Sequence, residues 1–275
     1  MVSIATQTTY PGNPRAGAAG MPADASTRIS DTAAAGEAGI KAGTFLVYCV
    51  ANANRKQVRN PQVNRLTLLQ SGDFASGKTY AGTLRITNLD GTYTDYAISQ
   101  GFTTDHATSA DALLAAFNGI TGITAVFTDG STKRSIRLTV AGDKSLSSPV
   151  DFTLTGLTVT ETQASTDVIC GVAGIDETTE RATDETVSYG LGASVPIMRF
   201  GKVFMDAETA MALSDTVYAR IDAGASTFQG RGYLRNAAGS SPVVAIAVAG
   251  NVKVFTPTSA AAQTAVVELN LIGAA

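Results

Sequence analysis

A chain of 275 residues with 44% apolar and 16% charged residues has the makeup of a core-forming globular protein, long enough for one large or two ordinary domains. Its net charge of −3 and pI near 5.2 argue against a nucleic-acid binder, which needs Lys and Arg concentrated on one face to displace counterions, and no such stripe appears in the sequence. Two cysteines, Cys49 and Cys170, are too few for a disulfide scaffold at this length and fit a reducing compartment.

The opening MVSIATQTTYPGNPRAG has neither a charged lead nor an apolar run, so no signal peptide is expected and the chain reads as soluble and made in the cytoplasm. Residues 1–37 are rich in Ala, Gly, Ser, Thr and Pro and poor in large apolar side chains. Such a segment cannot bury enough surface to fold by itself, so it reads either as disordered or as an extended arm that orders against a partner. GTFLVYCVANA, residues 43–53, is the apolar, β-branched run of a strand buried on both sides, and RKQVRNPQVNR follows with Arg55, Lys56, Arg59 and Arg65 around a proline.

GDFASGKT, residues 72–79, satisfies the phosphate-loop pattern G-x-x-x-x-G-K-[ST] letter for letter. A working phosphate loop needs a strand before it and a helix after it, because the free amides of the helix N-terminus hold the phosphates. LTLLQ passes for the strand, but YAGTLRITNL after Lys78 reads as another strand, so the motif is expected to be a turn entering a hairpin. LRITNLDGTYTDYAI alternates around Asp90-Gly91, a two-residue hairpin signal in which both turn positions need positive φ. SADALLAAFNGI places Ala110, Leu113, Leu114 and Phe117 on one helical face, with Thr108 or Ser109 as N-cap and Gly119 as the stop. The single histidine, His106, has no second histidine or cysteine pair near it; it reads as a surface loop residue, since zinc wants three or four ligands. TAVFTDG and KRSIRLTVAG, joined through Asp129-Gly130, and then FTLTGLTVTET complete a β-β-α-β-β-β order. The expectation is a small α+β domain over residues 62–166, with one helix covering one face of an antiparallel sheet.

DVICGVAGIDETTE echoes LVYCVANANRK, each an apolar strand with one cysteine and then a polar segment. The two read as neighbouring strands of one sheet interrupted by an insertion, with Cys49 and Cys170 close together as unbridged thiols. The first echo ends basic and the second acidic (Asp176, Glu177, Glu180, Asp184, Glu185), so residues 55–65 and 176–185 are candidates to face one another. ASVPIMRFGKVFMD reads as two short strands about Phe200-Gly201, DAETAMALSD as a helical turn capped by Asp206, and TVYARI as a strand. VVAIAVAGNVKVFT reads as a hairpin with Gly250-Asn251 at its tip, and AVVELNLI as the last strand. Short strands separated by turn signals predict a mainly β protein: a β-barrel or sandwich base of residues 38–61 and 167–275, an extended N-terminal arm (1–37) and the inserted α+β domain.

The segments YPGNPRAGAAGMPADAS, IKAGTFLVYCVAN, DVICGVAGIDETTE, VPIMRFGKVFMDAETAMALSDTVYARI and TAVVELNL together resemble the structural cement proteins of tailed bacteriophages. Phe204-Met205 stands where that family usually has Trp-Val, Leu213-Ser214-Asp215 at its Gly-Asp, and Glu268 where a basic or polar residue is common. The resemblance implies a structural virion protein without catalytic residues, cofactor or metal. It implies a place on the outer capsid surface, often as a homotrimer, where the protein binds the major capsid protein and stabilises contacts between its subunits, with neither nucleic acid nor membrane as partner. On that reading the arm supplies capsid contacts, with Tyr10 and Met21 as anchors and Arg15 and Arg28 as charge contacts. An alternative makes the inserted domain an outward binding module for host glycan or protein, with Tyr80, Tyr93 and Tyr96 as stacking groups. The residue inventory, without a G-x-S-x-G elbow or a calcium loop, gives no enzyme chemistry to set against these.

Overall fold

A computed structural model describes residues 19–23, 29–49, 57–70, 72–146, 153–155, 159–175, 187–222, 230–239, 245–249, 252–261 and 263–271. Strands β1 (Ile29–Ala35), β2 (Ile40–Lys41), β3 (Phe45–Tyr48) and β4 (Gln57–Arg59) come first. Next are β5 (Arg65–Gln70), β6 (Thr79–Thr87), β7 (Tyr93–Gly101), helix α1 (His106–Asn118), β8 (Ile123–Phe127), β9 (Ser135–Val140), β10 (Ser145–Leu146), β11 (Thr153–Thr155) and β12 (Val159–Ala164). The chain returns through β13 (Ile169–Ala173), β14 (Ser188–Tyr189) and β15 (Ser194–Ala207). It ends with β16 (Tyr218–Arg220), β17 (Leu234–Arg235), β18 (Ala245–Ala247), β19 (Lys253–Thr256) and β20 (Gln263–Asn270).

The protein is mainly β, and five strands close a barrel in the cyclic order β1-β4-β3-β13-β15. All neighbours in the ring are antiparallel except β1 and β4. A five-strand ring has a narrow interior, and the sequence supplies small or slender side chains for it: Ala33, Ala35, Leu46, Val58, Cys170, Ala173, Val195 and Ile197. Where β13 bulges, Gly171 brings backbone against β15; a Cβ there would lie 2.4 Å from Ile197 Cγ2. The echoed strands β3 and β13 are hydrogen-bonded neighbours, as their shared pattern predicts.

Strand β15 is one 14-residue strand rather than the two short ones expected. Gly201, at φ 103°, bends it without breaking it, so that each half has its own partners. Residues 194–200 pair with β1 and β13 in the barrel, and residues 200–207 pair with β20. The outward barrel residues Phe45, Val47, Ile169, Val172 and Met198 share a second core with Val203, Met205, Val267 and Leu269 of this extension. Residues 206–215 form no helical turn: Asp206 stays in β15 and accepts from Thr264 Oγ1 at 2.9 Å, while Asp215 accepts from the Ala212 N–H at 2.8 Å. The expected 243–256 hairpin does not form either, because β18 pairs with β16 and β19 with β20. Its tip, Gly250-Asn251, lies outside the described residues.

Residues 65–164 make two sheets instead of the single one expected. One runs β12-β5-β9-β8; in the other, β6 has β7 on one edge and β10 and β11 on the other. Helix α1 packs against β7 and β8, and the core between the sheets holds Leu66, Leu84, Leu113, Phe117, Ile136 and Leu138. Its N-cap is Asp105, which accepts from the Thr108 N–H at 2.7 Å, not Thr108 or Ser109; Gly119 is the C-cap. Neither Asp-Gly pair forms the two-residue turn. At the first, Asn88 N–H bonds Thr92 O at 2.8 Å and only Gly91 has positive φ, a longer loop with a bulge. At the second, a 3-10 turn over Gly130–Thr132 intervenes and Lys133 takes the left-handed conformation; the Asp129 carboxylate accepts from Thr132 Oγ1 and the Arg134 and Ser135 N–H groups.

Candidate functional site

The phosphate-loop look-alike is a turn. The Lys78 N–H donates to Ala75 O at 3.0 Å, and Thr79 opens β6, which pairs with β7 over its whole length. The chain after Lys78, which in a phosphate loop would open a helix, enters a β ladder instead, so no helix follows the exposed Lys78. His106 is not the surface loop residue expected. It opens α1, where Nδ1 accepts from the Phe74 N–H at 3.0 Å and Nε2 lies 2.8 Å from Thr132 O, so one ring ties two turns to the helix start.

The three tyrosines do not form a stacking platform. Tyr80 is 2% exposed and meets Phe74 edge-on at 4.9 Å, and burial pushes its phenol above the ordinary value. Tyr93 and Tyr96 are an odd number of residues apart on β7 and so point to opposite faces. Tyr96 packs half-buried on the core, whereas Tyr93 is exposed under the Arg85 guanidinium, 3.8 Å from the ring centroid.

The densest polar construction is where the chain leaves the barrel at 59–64 and returns at 165–168. Arg59, completely buried, bonds Asp167 through two nitrogens at 2.8 and 2.9 Å and Asp143 through Nε at 3.0 Å. Burial works against its charge, but the hydrogen bonds and charges of Asp167 and Asp143 outweigh it and hold the guanidinium above its ordinary value. Asp167 also accepts from the Gln62 N–H at 2.9 Å and Asn64 Nδ2 at 3.2 Å, while Asn64 Oδ1 accepts from the Thr166 N–H at 2.9 Å. The outgoing and returning strands are thus stapled to each other. Asn60 extends the network into the barrel: its N–H donates to Glu37 at 2.6 Å and its side chain to Thr44 and Phe45, and Arg231 closes on the other Glu37 oxygen. The partners of Arg59 are therefore Asp143 and Asp167; residues 176–185, expected to face the basic run, lie outside the described residues.

A second ionic cluster holds the end of β16. Glu208 pairs with Arg220 at 2.5 Å and with Arg235 at 3.3 Å, and Arg220 also reaches Asp222 at 2.9 Å. Burial raises the Asp222 carboxyl, opposed by the Arg220 charge. Between these two residues sits Ile221, fully buried in the core of the 65–164 sheets, where Ile246 joins it from β18.

Of the expected capsid contacts, Tyr10, Arg15 and Arg28 lie outside the described residues, and half-buried Met21 belongs to a short segment laid against β15. Gly20 N–H bonds Phe204 O at 2.7 Å, Phe204 N–H bonds Met21 O at 3.0 Å, and Ala23 N–H bonds Lys202 O at 2.9 Å. Glycines permit the crossing: a Cβ on Gly43, at φ 75°, would lie 2.6 Å from Ala19 Cβ. The first described arm segment thus lies along β15, with one antiparallel bridge at Pro22–Val203.

A family model described as structural cement protein (E217 gp24/Pam3 gp6) matches residues 115–271, more than half of the chain. The chain belongs to this structural cement protein family. No curated protein matches it. In this cement protein the matched stretch begins within α1 and takes in β8 to β20, with Asp143, Asp167 and the Glu208–Arg220 cluster, while β1 to β4 and Arg59 precede it. The family is a structural one of the phage capsid. Both cysteines of this cement protein are buried thiols, and burial raises Cys49 to about 12. Alkylation under denaturing, non-reducing conditions is therefore expected to add two groups by intact mass, and alkylation of the native protein to lag far behind. A mass showing none after denaturation means a disulfide.

Proposed function

We propose that this cement protein binds the outer surface of a phage head, as a homotrimer, and stabilises contacts between major capsid protein subunits. The observation that carries this is family membership over residues 115–271. The fold supports it physically. A clamp needs a base that does not yield and chain that reaches neighbours; here a closed barrel abolishes free edges in the ring, and Gly20–Ala23 already adds to β15 by main-chain hydrogen bonds. Residues 38–61 and 167–275 act as the base, residues 62–166 as a domain inserted into it, and residues 1–37 as the arm whose Tyr10, Arg15, Met21 and Arg28 meet the shell. Many identical copies on a shell make modest contacts sufficient. The glycan-binding alternative loses its platform with Tyr80 in the core.

Purified protein added to assembled shells that lack it should co-sediment with them at saturable stoichiometry; protein left in the supernatant at all concentrations overturns the reading. Lys78→Ala is expected to bind and stabilise shells like the parent, because Lys78 belongs to an exposed turn. A loss there would restore the phosphate-loop motif to the argument about function.

A further inference from the structure

Most arginines of the described residues have a carboxylate beside them: Arg59 with Asp167, Arg85 with Asp95, Arg134 with Asp73, Arg220 and Arg235 with Glu208, and Arg231 with Glu37. Arg199 reaches the Leu271 carbonyl. Arg65 and Arg137 have no such partner among the described residues, and Arg65 Nε is enclosed without a hydrogen bond. They are also neighbours. In the β5–β9 register Arg65 stands opposite Thr139 and Thr67 opposite Arg137, which makes the arginines diagonal on one face, about 7–8 Å apart along the backbone. That face points outward, because the alternate residues Leu66, Leu68, Ile136 and Leu138 fill the core.

The rest of the face is built from Thr67, Thr124, Thr139, Leu69 and Val126, the last two 39% and 37% exposed. No outward position of β5, β8 or β9 carries Asp or Glu. Two like charges at diagonal positions on one sheet face repel each other, and the arrangement is relieved by carboxylates supplied from outside, to which the planar guanidinium donates through two nitrogens at a time. Arginine is among the residues enriched at protein interfaces. With no aromatic ring among these outward positions, neither a sugar nor a base has a surface to stack on, and two arginines are not the cationic track of a nucleic-acid groove.

We propose that the Arg65/Arg137 face of the β12-β5-β9-β8 sheet docks against a carboxylate-bearing protein surface of the capsid shell. This rests on the cement reading. The test is co-sedimentation of the full chain with shells at low and moderate salt, comparing the parent with R65E/R137E, the milder R65Q/R137Q and the control K78E, each first checked for a parent-like melting temperature. The expected result is a loss of affinity of about tenfold or more for the reversal, a smaller loss for the glutamine pair, a parent-like control, and a weaker salt dependence in both pair variants. Parent-like binding by both pair variants overturns the inference and leaves the cement reading standing, whereas failure of the parent to bind overturns both. Loss of binding to an acidic polysaccharide such as hyaluronate, with shell binding intact, also overturns it in favour of a glycan.

Discussion

Arg59→Ala is expected to lower the free energy of unfolding by about 3–5 kcal/mol, because it leaves Asp143 and Asp167 buried without their cation. The guanidinium has no exposed surface and both carboxylates are nearly as enclosed, so solvent screening gives little relief. A further loss follows from geometry. Asp167 is the acceptor for Gln62 and Asn64 as well, so a carboxylate that turns toward water takes the staple between the outgoing and returning chains with it. Replacing the whole triad, R59M/D143N/D167N, should recover part of the loss, since a neutral cluster carries no uncompensated charge. Urea unfolding monitored by circular dichroism reads both. A loss below about 1 kcal/mol for Arg59→Ala would mean that the triad is solvated and the root is not a fastening.

Ile221→Ala is expected to cost about 2–5 kcal/mol, in the range for truncating a fully buried isoleucine. What makes the position informative is its location. Ile221 follows β16 in the C-terminal part of the chain, yet its side chain completes the core of the 65–164 sheets, and Ile246 does the same from β18. The two lobes should therefore unfold in one transition, and hydrogen exchange in β5, β6 and β9 should speed up in the variant although the mutation is far away in sequence. Separate melting of the 65–164 sheets, with Ile221→Ala affecting only the rest, would contradict a shared core. The same contact predicts that an isolated 62–166 fragment exposes apolar surface, so binding experiments belong to the full chain.

Much of the fold was legible where the physics is local. Strict alternation around Asp90-Gly91 located β6 and β7, the spacing of Ala110, Leu113 and Phe117 located α1, and the rule that a phosphate loop needs a following helix disposed of GDFASGKT. Errors came where a choice depends on distant chain. Gly201 looks like a break between strands, but two different partner sets hold both halves of β15 in one strand. Residues 245–256 look like a hairpin because the sequence cannot show that β16 and β20 compete successfully for its two arms. The fastening at Arg59 was hidden for the same reason: Asp143 and Asp167 follow unremarkable Gly and Thr residues, and only tertiary structure brings them to an arginine 84 and 108 positions away. A polar run, NPQVN, that is buried throughout was the single available hint, and burial is not written in composition.

The central claim, that this cement protein holds a phage shell together, is tested most directly by heating or osmotically shocking otherwise identical particles assembled with and without it and measuring genome release. The account predicts release at lower temperature, and after milder shock, from particles that lack the protein, with resistance restored on adding it back. Equal resistance in both populations would contradict it.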